Sequence, residues 1–219
     1  MTGVAEGGSA LAEFSARLSL WNRRRKMRLF LEHMRPTPES RVVDVGAADT
    51  GFLTEPGVAS TYNFFEAMYP WPERITAVSD TALLGFAEHF PAIERVVADA
   101  RDLPFDDDSF DIAFSNAVVE HVGSRADQRR FVHELCRVAP RVFVTTPNRW
   151  FPVETHTLVP FVHWLPRQSR NWAFERLGKE IWRQTELLSS RELVRLFPPS
   201  VGVRVVEARI TIAAVASRG

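Results

Sequence analysis

Four short stretches of this sequence carry side chains suited to holding a nucleotide-like ligand, and each directly follows an apolar run. Gly46-Ala47-Ala48-Asp49-Thr50-Gly51 follows the first run, where small residues let the backbone approach a bound group closely. Ser79-Asp80 follows the second; a carboxylate there can accept hydrogen bonds from a ribose diol, and Ser79 competes with Asp80 for that position. Asp99-Ala100 follows the third and Asn116 the fourth. Asp44, inside the first run, is a further candidate, although a carboxylate there can equally cap backbone amides. A single such residue is weak evidence. Four successive run-ends, each with a suitable small or polar group, point to one crevice at the carboxyl ends of parallel strands. Beyond them, His121, Glu154 and His156 are of types that can take up a proton near a reacting atom. His121 can equally be a structural residue opening the next helix. Glu154 and His156, even with His163 added, match no standard metal-ligand spacing, so no metal site is expected.

The elements that must position these residues follow from periodicity. Val42-Val43-Asp44-Val45 is β-branched apart from the acid and reads as a buried parallel strand. Further strand-like runs fall at 75–78, 95–97, 112–115 and 142–145, with helical patterns between them at 59–68, 81–89 and 126–138. Alternating β and α elements predict a parallel sheet with helices on both faces. The last two runs, 203–208 and 211–216, are too close for a crossover helix and must form an antiparallel hairpin at one edge. Residues 1–10 read as an unstructured lead, and 11–35 as an amphipathic helix with Leu11, Phe14, Leu18, Trp21, Met27, Phe30, Leu31 and Met34 on its apolar side. Its run Arg23-Arg24-Arg25-Lys26 reads as a solvated face, or alternatively as a phosphate or lipid contact. The whole chain is expected to form one domain.

With those elements placed, a likeness emerges. Val42-Val43-Asp44-Val45-Gly46 resembles the first motif of the class I, Rossmann-like methyltransferases that depend on S-adenosylmethionine (SAM). Ala98-Asp99-Ala100-Arg101-Asp102-Leu103-Pro104-Phe105, followed by Asp108-Ser109-Phe110-Asp111-Ile112-Ala113-Phe114-Ser115-Asn116, resembles their third and fourth motifs. Val119-Glu120-His121-Val122 and Phe131-Val132-His133-Glu134-Leu135-Cys136-Arg137-Val138 extend the likeness, which is to the type 11 methyltransferases and covers residues 41–147. It implies an α/β, Rossmann-like three-layer sandwich with a seven-stranded, mostly parallel sheet and an antiparallel edge hairpin. It also implies SAM as cofactor. On this resemblance Gly46 and Ala47 face the methionine portion, Asp80 holds the ribose and Asp99 meets the adenine amino group. Ala100 would lie beside the ring, and Asn116 near the methionine end. Two departures stand out. The first loop is one residue longer than usual, and the stretch from Gly46 to Asp80 contains an extra segment with Asn63-Phe64-Phe65-Glu66 and Tyr69-Pro70. A nicotinamide dehydrogenase would instead need G-x-G-x-x-G with an acid about 20 residues on, which this chain lacks.

The acceptor side is read from residues 146–190, where four of the six tryptophans fall (Trp150, Trp164, Trp172, Trp182). Such an aromatic insert suits a pocket for an apolar or aromatic small molecule, and equally suits a packed cap. Arg149 can hold an acceptor carboxylate or phosphate, or a backbone carbonyl. Lys plus Arg and Asp plus Glu number 27 each, so nothing in the overall charge favours nucleic acid. A lone cysteine, Cys136, excludes an internal disulfide and suits a reducing compartment. No stretch approaches the roughly 18 apolar residues of a membrane span, and the start lacks a signal-peptide layout, so a cytoplasmic protein is expected. The expected partner is a small-molecule acceptor. An RNA or protein acceptor, or a non-catalytic SAM-binding subunit, are the alternatives.

Overall fold

A strand covered by helices on both faces must be apolar at consecutive positions, and every residue of β1 (Val42–Val45) and β2 (Ile75–Ser79) is buried. The computed structural model describes residues 5–49, 63–154, 159–179 and 184–218. With β3 (Glu94–Val97), β4 (Ile112–Asn116) and β5 (Arg141–Pro147), these strands run parallel. The last two, β6 (Gly202–Ala208) and β7 (Thr211–Ser217), form the expected hairpin, with β7 antiparallel to β5. The sheet has seven strands in the order β3-β2-β1-β4-β5-β7-β6. The third run departs from the expectation of a buried strand: Glu94, Arg95 and Val97 are exposed, because β3 is a sheet edge.

The first helix, α1 (Ala5–Met34), begins inside the lead that reads as unstructured. Gly7, Gly8 and Ser9 are poor helix formers and carry no apolar periodicity, so nothing in the sequence marks these first turns as helical. The helix expected over 59–68 is described only as α2 (Phe64–Met68), and the one over 81–89 shortens to α3 (Leu84–His89). The next, α4 (Arg125–Val138), starts on a capping box in which Ser124 Oγ accepts from Asp127 N and Asp127 Oδ2 accepts from Ser124 N. In the insert lie a short 3-10 turn (Val162–Trp164), α5 (Arg167–Arg176) and α6 (Ser190–Val194), the last with its own capping box from Ser189 and Glu192.

The strands alternate side chains between two cores. Val43 and Val45 face Phe131, Leu135 and Leu193 of α4 and α6. Val42 faces Phe30 of α1, Phe64 and Phe65 of α2 and Phe86 of α3. Phe30 is fully buried and meets Phe65, Phe114 and Phe143 edge-on at centroid distances of 5.0, 5.6 and 5.6 Å.

Asp44 shares the face of Val42, so its carboxyl enters this aromatic core, where Glu66 of α2 meets it. Burial pushes Asp44 up to about 7, opposed by the hydrogen bond from Glu66. Burial, then the Asp44 charge, pushes Glu66 well above the ordinary carboxylate range. Glu66 therefore keeps its proton and donates it to Asp44. Both groups bind protons more tightly folded than unfolded, so the pair stabilises the fold at low pH. For Asp44 that contribution is lost as pH rises from about 4 toward 7. We expect urea denaturation of the wild type to show stability falling over that rise. The variant D44N/E66Q, which has no titrating carboxyl there, should lose less.

Candidate functional site

Strand order reverses between β1 and β4, and the loops leaving their carboxyl ends diverge to open a crevice. Two contacts hold those ends together. Ser115 Oγ donates to the Val45 carbonyl at 2.9 Å in a fully buried bond. Gly46 (φ +109°) passes so close to Val118 that a Cβ would fall 2.1 Å from its Cγ2. The glycine is needed for this close approach as well as for its positive φ.

The first loop is held at both described ends. Gly46 and Ala47 donate their amides to the Val78 carbonyl at 2.9 and 3.1 Å. Buried Asn63 grips Ala48 reciprocally, accepting from its amide at 3.1 Å and donating to its carbonyl at 2.7 Å. Asp49 accepts from the Phe86 amide of α3 at 2.7 Å. Thr50 and Gly51 lie outside the described residues.

Of the candidate cofactor residues, Asp80 is exposed just past β2, free to meet a diol, while Ser79 is buried and bonded toward Thr81. Asp99 lies past β3, gripped by Arg101, whose guanidinium and amide donate to it at 2.6–3.1 Å. Those bonds hold Asp99 down at about 2, so it is an ionised acceptor. Ala100 packs half-buried beside it. Asp44 does not join this set: it sits in the core against Glu66.

Asn116 closes β4, and its side-chain oxygen accepts from Lys26 Nζ and Thr145 Oγ1, both at 2.7 Å. Its amide N–H groups are thereby turned toward other partners. The chain then turns through Ala117 in the left-handed region (φ +56°). A few residues on, Glu120 is fully buried and accepts from Thr146 Oγ1 at 2.8 Å. His121 is half-exposed, with Nε2 3.9 Å from Glu120 Oε1. It lies in a loop rather than opening α4, whose N-cap is Ser124.

Lys26, Asn63, Glu66 and Glu120 were not singled out by type or spacing. The basic run on α1 is not one solvated face: Arg24 is exposed, Arg25 pairs with Glu207, and Lys26 is buried. The available signal was position, since Lys26 lies four residues before Phe30 on the same helix face. Burial lowers Lys26 to about 8, against an upward pull from Glu120.

On the acceptor side, Glu154 is buried and lines a cavity of about 70 Å³ with His163, Arg170, Phe174 and Thr185. Burial lowers the His163 pKa. Arg149 is committed to Glu192 at 3.2 Å, and its carbonyl accepts from His163 Nε2 and Trp164 Nε1. Its side chain stays partly exposed and also lines that cavity. His156 lies outside the described residues. Among the described residues, no group of three or more His, Cys, Asp or Glu side chains can hold a metal.

These groups fit SAM by their chemistry: an exposed carboxylate for a diol, an ionised acceptor beside an alanine for an adenine, and amide donors at the β1–β4 crevice. The comparisons agree. The model of a methyltransferase domain matches residues 56–141. A Mycobacterium tuberculosis protein named "Probable S-adenosylmethionine-dependent methyltransferase" is 36% identical over 73 residues, 32% of this chain. The match spans 26% of that relative's own length. A SAM-dependent methyltransferase structure from Thermotoga maritima superposes with a TM-score of 0.59 at 13% identity, covering 96% of both chains. Geranyl diphosphate C-methyltransferase from Streptomyces coelicolor, solved with S-adenosylhomocysteine, gives 0.53 at 13% identity, over 90% of this chain and 79% of that one. At such identities the structural likeness is one of fold. Residues 56–141 thus match a methyltransferase domain, and the fold around them is one shared with SAM-dependent methyltransferases.

Lys26 and Glu120 form a buried pair of opposite charges at this crevice. Removing one partner strands the other. K26M is expected to cost about 3 kcal/mol in urea denaturation, and K26M/E120Q distinctly less. Equal losses in the two variants would show that the charges are not coupled.

Proposed function

We propose that the protein transfers a methyl group from SAM to a small organic acceptor that is apolar or aromatic. The observation carrying this reading is the row of groups at successive strand ends, Asp80, Asp99-Ala100 and Asn116, beside a crevice roofed by α1. The bound cofactor supplies an already activated methyl group, so the protein's tasks are alignment, exclusion of water and, for some acceptors, proton removal.

Each task has a residue suited to it. Asp80 is placed to orient the ribose, and Asn63 and Asp49 stiffen the loop beneath the methionine portion. Asn116, oriented by Lys26 and Thr145, presents amide donors at the reacting end. His121, beside the buried Glu120 carboxylate, is suited to receive an acceptor proton. The aromatic insert over 149–179 supplies apolar surface for the acceptor. Asp99 already accepts from Arg101 at both oxygens, so an adenine amino group would share those oxygens or displace one Arg101 donor.

Calorimetric titration with SAM and S-adenosylhomocysteine tests the cofactor half of this reading. Binding in the micromolar range is expected, with D80A weaker by about ten- to a hundredfold, the worth of hydrogen bonds to a charged group. No binding at millimolar cofactor would contradict it. A labelled-methyl screen over small aromatic and lipid-like acceptors, with RNA and protein pools alongside, tests the acceptor half. Label in the macromolecular pools alone would overturn it.

A further inference from the structure

Ten large apolar side chains are exposed among the described residues, and six come from one segment: Trp150, Phe161, Trp164, Leu165, Trp172 and Leu177. Three of the rings, Trp150, Phe161 and Trp164, form one cluster. Trp164 lies 6.4 Å from Trp150 and 5.2 Å from Phe161 between centroids, and its Nε1 is fixed on the Arg149 carbonyl. Leu18 and Trp21 of α1 add two more at the same end of the molecule. There Asn22 meets Thr211 at the start of β7, and Asn148 meets Ile210 in the hairpin turn.

Cations lie among these rings. Arg176 stands over Trp172, while Arg149 over Trp150 and Arg25 over Trp21 also pair with Glu192 and Glu207; the ring distances are 5.4–5.7 Å. Residues 149–179 hold five Lys and Arg against two acids, Glu154 and Glu175; of the five, Arg149 pairs with Glu192, Arg170 lines the cavity, and Arg167 and Arg176 are exposed. Arg209, in the adjoining hairpin turn, is largely exposed.

We infer that this aromatic and basic surface docks on an anionic lipid bilayer. Tryptophan with arginine or lysine is the composition of a membrane–water interface: the rings sit at headgroup depth while the cations meet lipid phosphates. No described helix is long and apolar enough to cross a membrane, so the contact is peripheral. A second copy is the poorer occupant, because a two-fold contact would set the cations of one patch against those of the other. The inference uses the insert that the proposed function assigns to the acceptor, but its test reads vesicle binding and not methyl transfer, so either can fail alone.

The test is flotation of the full chain with vesicles of phosphatidylcholine alone and with about 30% phosphatidylglycerol, following tryptophan emission in parallel. Binding to the anionic vesicles should be stronger by about tenfold or more, fall with added salt, and shift the emission to the blue. W172E/L177E changes two exposed positions and should lose that binding about tenfold, with unchanged melting temperature and unchanged affinity for S-adenosylhomocysteine. The inference is overturned if neither vesicle binds, or if the variant binds as the wild type does. It is also overturned if the wild type forms a dimer that W172E/L177E abolishes, since the surface then seats a second copy.

Discussion

The structure depends on the seating of α1 across the sheet through Phe30. This one ring touches aromatic side chains of α2, β4 and β5, so the helix, the segment after the first loop and two central strands are fixed against a single point. Truncating a ring so buried typically costs about 3–5 kcal/mol, enough to threaten a fold of ordinary stability. One helical turn earlier, the same seating carries Lys26 into the crevice and onto Asn116. A turn further back it brings Trp21 and Asn22 beside the hairpin turn. Core packing and site geometry are therefore set by one contact.

Around that anchor, most polar groups near the crevice spend their hydrogen bonds on one another. Asn63 and Asp49 are committed to the first loop and α3, Ser115 to β1, Glu120 to Thr146, and the oxygen of Asn116 to Lys26 and Thr145. Such a network fixes the groups around the crevice, so a ligand bound there would incur little ordering cost. The buried carboxyl pair of Asp44 and Glu66 belongs to the same economy, since α2 contributes both the second carboxyl and two rings of the aromatic core.

The sheet was legible because its strands are short β-branched runs at regular spacing, and the closeness of the last two runs forced a hairpin. The positions of Asp80, Asp99 and Asn116 at strand ends were legible because the strand runs before them are short and well marked. Partners were not. Asp44 reads as a ligand residue, but alternation along β1 turns it into a core that only the fold assembles. Lys26 hides in a basic run because four adjacent cations look alike until one is known to share a face with Phe30. The Asp44–Glu66 contact joins residues whose sequence neighbourhoods carry no mark of each other. Arg149 carries no mark in the sequence of the Glu192 that α6 brings against it.

The central claim is that one crevice at the carboxyl ends of β1, β2, β3 and β4 holds the cofactor. Hydrogen–deuterium exchange with and without saturating S-adenosylhomocysteine tests it most directly. The account predicts slowed exchange at residues 46–49, 80–84, 99–101 and 116–121 together, with the β6–β7 hairpin unchanged. Unchanged exchange at those four strand ends, or slowing confined to residues 149–179, would contradict it.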